Sequence, residues 1–585
     1  MSTYERRRTV DVIDRRVGLL FGVFLILLLA AVGRSLYLGT LRAGALAAAA
    51  RGEHIQPVTV PALRGEITDR NGVVLALSEA GDEVIADPKL IMHRQPLSAA
   101  QIATRLAPLV GLTQQRTLTL LTKPRTGYVV LNTDVPAATG RRITQLVAGY
   151  GINGISEQPT ASRLYPRGTE ASQLLGWAPT GPHTGGGLEL LLNKQLTGVP
   201  GKRRVINDAL GNPIQVDTVK PMVPGKNIRL TISAPLQSEV EQVLAQVGKQ
   251  YKPKGVTAIV TNPQTDQILA LANWPAFNPN SITTAAVRGV GSQTPAVEDQ
   301  AVDLSYEPGS TFKAVTVSGA LQDGVVTPQT VFHIPPYLDI YGYKISDAEV
   351  HGWVNYSVQH IVKVSSNIGA DLIGQRLGAQ RFSHWVSAFG FGRPTGVALP
   401  GEQAGLVLPL NRYNGVTMYN MPFGQGLSVT PMQMVQTYDT VADGGVLRTP
   451  QLVAAVGGRA VPEPKGKRII SAGVASEVRN MMRGVLADGG TASGAGIAGF
   501  DMAGKTGTAQ VASNGGYSKT EYVASFIGMV PASAPKLVVA VVVDQPQGVI
   551  YGGSVAAPAF QQIVGWAVPY FGINPCPVPV AHVCR

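Results

Sequence analysis

Three hydrophobic patterns occur along this chain. The first is unbroken: residues 17–33 (VGLLFGVFLILLLAAVG) carry no charge, and the run is long enough for one bilayer-crossing helix. Arg34 can lift its guanidinium to the interface on an apolar stem, which carries the span on to Leu38. The Ala-rich residues 43–52 predict a helical stalk after it. In the second pattern polar and apolar positions alternate, as in half-buried strands, at 55–60 and 227–232. Asn71-Gly72 between two apolar runs predicts a hairpin. Apolar runs of strand length recur at 256–260 and 267–271, joined by the turn-rich Asn262-Pro263-Gln264-Thr265-Asp266, and again at 522–530 and 537–543. The third pattern has helical spacing, at 235–247, through most of 311–381, and at 556–570. Early strands, intervening helices and late strands predict an α+β domain with helices inserted between the strands of one sheet.

A length of 585 residues exceeds one domain at the usual size of about 150. The Pro-, Gly- and Lys-rich stretch 221–226 reads as a linker. The expected division is a tail 1–16, an anchor 17–38, an N-terminal module 39–225, a larger domain 226–570 and a tail 571–585.

Charge adds orientation. Lys and Arg number 49 against 37 Asp and Glu, a net +12, which suits nucleic acid, an anionic membrane surface or an acidic polymer. The charges are dispersed, and no basic run with interleaved aromatics occurs outside the N-terminus, so nucleic acid is not an expected partner. Arg6, Arg7, Arg8, Arg15 and Arg16 all precede the apolar run, which places the N-terminus in the cytoplasm and the chain after Gly39 outside it. A cleaved signal peptide is the rival, with Ala45-Leu46-Ala47 as its cleavage site, but such apolar cores usually span only about 7 to 15 residues. The two cysteines, Cys576 and Cys584, lie in the Pro-rich tail, where export permits a disulfide; two unpaired thiols are the equal alternative. The eight histidines are scattered without metal-ligand spacing, and no cofactor is expected.

Candidate chemistry begins at Tyr306-Glu307-Pro308-Gly309-Ser310-Thr311-Phe312-Lys313, where a Pro-Gly turn delivers a serine to the start of the apolar run 314–321. If a helix starts near Ser310, Lys313 shares its face, close enough to take the hydroxyl proton, and a serine with a base one turn away is an activated nucleophile. Ser-x-x-Lys alone is weak, because an ordinary first helical turn has the same letters. Downstream, however, Ser365-Ser366-Asn367 offers Ser-x-Asn and Lys505-Thr506-Gly507 offers Lys-Thr-Gly, in the order used by serine acyltransferases of the penicillin-binding class.

Each motif has a bland or rival reading. Ser365-Ser366-Asn367 can simply cap the helix that follows. Residues 499–506 (GFDMAGKT) satisfy the P-loop pattern, which would make the protein an ATPase. A P-loop needs a buried strand before it and a helix after it, whereas residues 491–498 are small and Gly-rich, and Gly507 and Gly515-Gly516 break any following helix. Arg125-Thr126-Gly127 imitates the basic-Thr-Gly motif, but upstream of the serine.

Together with these motifs, Arg64-Gly65 with Asp69-Arg70 and Gly72, Arg163-Leu164-Tyr165-Pro166 and Gly187-Leu188-Glu189 resemble the N-terminal signatures of class B penicillin-binding proteins. Ile268-Leu269-Ala270-Leu271-Ala272 with Asn278-Pro279-Asn280, His351-Gly352-Trp353, Gly424-Gln425-Gly426 and Asp488-Gly489-Gly490-Thr491-Ala492 extend the resemblance, which runs from the anchor to about Tyr570. It implies a single membrane helix, an extended β-rich pedestal or dimerisation-type module over 39–225 and a transpeptidase domain over 226–570. The signatures would hold the module together and dock it to the transpeptidase domain. Neither the glycosyltransferase module of bifunctional relatives nor C-terminal sensor modules are expected.

By the same resemblance the function is peptidoglycan D,D-transpeptidation, with covalent inhibition by β-lactams. Ser310 would form the acyl-enzyme and Lys313 would act as base. Ser365 would relay a proton to the leaving amine, and Asn367 would hold substrate amide or lysine. Lys505, Thr506, Gly507 and Thr508 would receive a substrate carboxylate, with the N–H groups of Ser310 and Thr508 as oxyanion hole. Implied partners are peptidoglycan strands and lipid-linked stem peptides, the membrane, a polytopic SEDS-type glycosyltransferase and other division proteins. Glu307 resembles the septal, cell-division branch, since the elongation branch tends to carry a second proline there. An elongation enzyme, a penicillin-sensing or penicillin-hydrolysing protein and a non-enzymatic division scaffold are the alternatives.

Overall fold

The computed structural model describes residues 3–44, 55–93, 95–179, 185–207, 213–282, 297–513 and 516–575. Cys576 and Cys584, the Ala45-Leu46-Ala47 site and most of the 43–52 stalk lie outside the described residues. The contacts divide the chain into two units of interleaved segments, where the sequence suggests one cut near 225.

The first unit comprises Met1–Leu63, Ala80–Ser162 and Val199–Val223. Its N-terminal helix, Thr3–Gly39, contains the single segment among the described residues that is long and apolar enough to cross a membrane, Arg15–Gly39. Ile55–Val60, Gly201–Asn207 and Pro213–Lys220 form a three-stranded antiparallel sheet. A separate small core joins Ile102, Leu106 and Val110 of the helix Ala99–Val110 to Leu121, Leu131, Val135 and Ile143. Ser98 starts that helix with a capping box to Gln101, and Gly111 ends it in the left-handed conformation.

The second unit comprises Arg64–Glu79, Arg163–Gly198 and Pro224–Arg585. Its centre is a five-stranded antiparallel sheet in the order Gln267–Trp274, Gly255–Asn262, Leu537–Asp544, Gly516–Val530, Ala503–Ser513. The middle strand is buried along its whole length, which is why it reads as an unbroken apolar run. Helices Ala234–Tyr251 and Gly552–Tyr570 pack on the sheet, with Phe526 against Phe560; Pro431–Ala442 and Ala472–Leu486 also pack on it, and Thr261 donates to Asp439 of the former. Most of the helices lie in sequence between the first two strands and the last three, the inserted arrangement of an α+β domain. Within 311–381, where helical spacing dominates, the chain also forms short strand pairs, Val331–Ile334 with Val354–Ser357 and Leu338–Ile340 with Tyr343–Ile345.

The three N-terminal signatures meet inside this second unit. Glu189, fully buried, is bound by Arg64 at 2.5 Å and Arg163 at 2.6 Å, and Arg163 also donates to the Gly65 carbonyl. A buried carboxylate is tolerable only with such partners. Asp69 takes the N–H groups of Asn71 and Val73 with one oxygen and that of Ala234 with the other. These contacts hold structure, not chemistry.

Candidate active site

Ser310 lies half-buried on a 3₁₀ turn, Gly309–Phe312, and the α-helix proper begins at Lys313 and runs to Gln322. A 3₁₀ turn has three residues per turn, so Ser310 and Lys313 eclipse each other more closely than α-helical spacing would allow. The turn is braced from three sides. Gly309 has φ +54 and lies against Thr508 and Ala509 of the edge strand. Gly309 N–H donates to the Gly424 carbonyl, and a Cβ on Gly424 would stand 2.1 Å from the Gly309 oxygen, so Gly424-Gln425-Gly426 needs its first glycine for close approach. From behind, the buried Tyr438 hydroxyl donates to the Thr311 carbonyl at 3.0 Å. Tyr438→Phe removes that bond while the Lys313 N–H stays on the same carbonyl, and is expected to lower the unfolding free energy by about 1 kcal/mol. Urea denaturation followed by tryptophan fluorescence checks this; an unchanged midpoint would mean the bond contributes nothing.

Ser365 follows the helix Val358–Val364 in the left-handed conformation, φ +61, and Asn367 opens the next helix, Asn367–Leu377. The Lys313 ammonium nitrogen reaches the Ser365 carbonyl at 2.6 Å, Asn367 Oδ1 at 2.9 Å and Ser365 Oγ at 3.3 Å. Lys505 Nζ reaches the same Ser365 Oγ at 2.7 Å from the opposite direction. One serine hydroxyl thus bridges two lysines. The capping reading also holds, but for the neighbouring residue: Ser366 Oγ accepts from Gly369 N at 2.9 Å.

Both lysines are buried, and their stems line a narrow apolar gap with Val317, Val362, Val478 and Met481. Burial pushes Lys313 down to about 7, against the opposing pull of Asp347 and Asp371. Lys505 is lowered too, first by burial and then by Lys313. A neutral Lys313 amine is therefore accessible near physiological pH.

Lys505, Thr506, Gly507 and Thr508 lie within the edge strand Ala503–Ser513, opposite Ile527, Phe526, Ser525 and Ala524. A strand here, not a helix N-terminus, removes the P-loop reading. Strand alternation sends Lys505 towards the helix Ala472–Leu486, and Thr506 and Thr508 towards the start of Gly552–Tyr570. Thr506 Oγ1 shares a hydrogen bond with Thr491, and Thr508 Oγ1 accepts from Gly552 N at 3.0 Å, which leaves its O–H to donate. A Cβ on Gly507 would stand 2.3 Å from Ser525 Oγ and 3.0 Å from the Pro308 carbonyl, so this glycine lets the strand meet the serine turn.

All eight residues singled out from the sequence therefore belong to this one region of the second unit. Three others lay outside that set. Asp347 accepts from Ser366 Oγ, Asn367 N and Ile368 N; Asp371 is a fully buried carboxylate with no hydrogen-bond partner among the described residues; Thr491 pairs with Thr506. Only Thr491 had a signal, as part of a family-like stretch.

A family model, the penicillin binding protein transpeptidase domain, matches residues 256–565, and a second, the penicillin-binding protein dimerisation domain, matches residues 59–183. The Neisseria meningitidis protein "Probable peptidoglycan D,D-transpeptidase PenA" is 31% identical over 96% of this chain and 93% of its own length. "Peptidoglycan D,D-transpeptidase FtsI" of Escherichia coli is 30% identical over 96% of this chain and 93% of its own. Among solved structures, penicillin binding protein 3 of Mycobacterium tuberculosis complexed with aztreonam superposes with a TM-score of 0.68 at 27% identity, covering 90% of this chain and 99% of that one. The chain belongs to the class B penicillin-binding proteins, the transpeptidases that crosslink peptidoglycan.

Proposed function

We propose that this protein crosslinks stem peptides in septal wall synthesis through an acyl-enzyme on Ser310. The observation that carries the reading is the Ser365 hydroxyl held between Lys313 and Lys505 beside the turn that presents Ser310. Neutral Lys313 takes the Ser310 proton as the oxygen attacks the carbonyl carbon of the penultimate D-residue. Ser365, fed by Lys505, returns a proton to the departing amine, and the acyl group stays on Ser310 until the amine of a neighbouring stem attacks it. Asn367 holds Lys313 in place through Oδ1. The N–H groups of Ser310 and Thr508 form the oxyanion hole. Lys505 with Thr506 and Thr508 receives the terminal carboxylate, and Gly507 allows the strand its approach to the serine turn.

Among the described residues the edge strand Ala503–Ser513 has one side without a partner in the sheet, so an extended stem peptide can add to it as a further strand. The septal assignment rests on Glu307, whose carboxylate accepts from Gly426 N and Tyr517 just ahead of the serine turn. The basic residues before Arg15–Gly39 orient the helix with the second unit outside the cytoplasm, in the cytoplasmic membrane. A polytopic glycosyltransferase supplies the glycan strands.

A β-lactam mimics the terminal peptide bond and is trapped by the same oxygen. Mass spectrometry of the full-length protein after incubation with benzylpenicillin should place the adduct on Ser310. An adduct elsewhere, or none on folded protein, would sink the acyltransferase reading. Loss of septal wall crosslinking in a Ser310→Ala chain that still folds and localises separates enzyme from scaffold.

A further inference from the structure

One carboxylate outside the three motifs is bound to the middle one at three points. Asp347 follows the strand Tyr343–Ile345 and is almost fully buried. Its Oδ1 accepts from Asn367 N at 2.6 Å and Ile368 N at 3.0 Å, and its Oδ2 accepts from Ser366 Oγ at 2.6 Å and His351 Nε2 at 3.0 Å. The carbonyl of the preceding residue, Ser346, accepts from Asn367 Nδ2 at 3.2 Å. Asn367 is thus held by Asp347 and Ser346 on one side and by Lys313 on the other.

Two consequences follow from this geometry. Ser365 sits in a left-handed backbone conformation that a non-glycine residue adopts at a cost, so it persists only where the flanking residues are fixed. Asp347 fixes the three residues that follow it. In addition, a buried negative charge beside a buried amine favours the protonated amine. The charged and titratable groups in interaction with this pair are Lys313, Lys505, Asp371 and His351. His351 donates from Nδ1 to the Gly352 carbonyl and from Nε2 to Asp347, and these two acceptors, the carbonyl first, hold the ring's pKa above the ordinary imidazole value.

We infer that Asp347 is a positioning residue for acylation: it locks Ser365 between Lys313 and Lys505, and it places a carboxylate on the far side of Asn367 from the Lys313 amine. The inference rests on the reading of Ser310 as nucleophile and adds to it a residue that touches neither substrate nor serine.

Three full-length variants separate shape from charge. Asp347→Asn keeps a carbonyl oxygen for the two N–H groups and an amide that can donate to Ser366 Oγ, while removing the charge. Asp347→Ala removes both. His351→Gln removes the imidazole and leaves the Asp347 side chain in place. The rate of Ser310 acylation by a fluorescent penicillin is measured against pH for each, with a thermal unfolding check. For Asp347→Asn the rising limb of the profile is expected to move to lower pH by about one unit, because the lost anion favours the neutral amine. For Asp347→Ala the high-pH plateau also falls, by about tenfold, as Ser365 loses its fixed place. His351→Gln keeps the wild-type limb. An unmoved limb in a folded Asp347→Asn protein, or a wild-type plateau in a folded Asp347→Ala protein, overturns the inference while leaving the nucleophile in place. A wild-type protein that never acylates at Ser310 removes the underlying reading instead.

Discussion

Lys313→Arg is expected to abolish acylation of Ser310, although the positive charge is kept. A general base contributes on the order of 10² to 10⁴ in rate, and guanidinium cannot serve as one because it does not deprotonate in a protein. The structure states why lysine can. Its amine is buried, and burial brings it down to about 7 despite Asp347 and Asp371, which pull the other way. Lowering the folded value favours the neutral, proton-accepting form, so acylation of the wild type should be slow below pH 7, rise through about 7 and level off above it. A stopped-flow profile with a fluorescent penicillin shows the limb, and intact-protein mass spectrometry shows the missing adduct in the variant. Normal acylation of a folded Lys313→Arg protein would move the base to Lys505 or Ser365.

Much of this site was legible because its chemistry is carried by short motifs in a fixed order. The trio Ser310, Ser365 and Lys505 is scattered over the chain, yet each stands in a local pattern that dictates its geometry. Pro308-Gly309 makes the turn, Ser365-Ser366 ends one helix and caps the next, and Lys505 and Thr508 alternate along a strand. Asp347 was not legible, because its bonds to Ser366, Asn367 and Ile368 are tertiary contacts and it sits in a stretch, Ile345-Ser346-Asp347-Ala348, with no periodicity or motif of its own. The strand pairs around it escaped for a related reason: three- and four-residue strands are too short to show alternation against the helical spacing on either side. The interleaving of the two units depends on pairings such as Arg64 with Glu189, which hydrophobic patterning does not encode. The start of the nucleophile helix shifted from Ser310 to Lys313 because Gly309, at φ +54, tightens the first turn into 3₁₀ form.

Lys505→Ala separates recognition from chemistry. Lys505 is pushed towards neutrality, first by burial and then by Lys313, and its amine meets Ser365 Oγ at 2.7 Å and Thr506 at longer range. A carboxylate entering the cleft reverses that balance, since an anion beside a buried amine favours its protonated form. Charge-assisted hydrogen bonds of this kind contribute about 1.5 to 3 kcal/mol, more than the roughly 0 to 1 kcal/mol of an exposed, screened pair. At about 1.4 kcal/mol per tenfold, Lys505→Ala should slow acylation by a carboxylate-bearing lactam by about one to two orders of magnitude. An esterified lactam never makes the contact, so its slower acylation should change much less on the same substitution. The four rates, two lactams on wild type and variant, form a cycle whose coupling isolates the ammonium–carboxylate contact. Equal losses for both lactams would mean that Lys505 acts through the Ser365 hydroxyl, and the carboxylate would then have to be received by Thr506 and Thr508 alone.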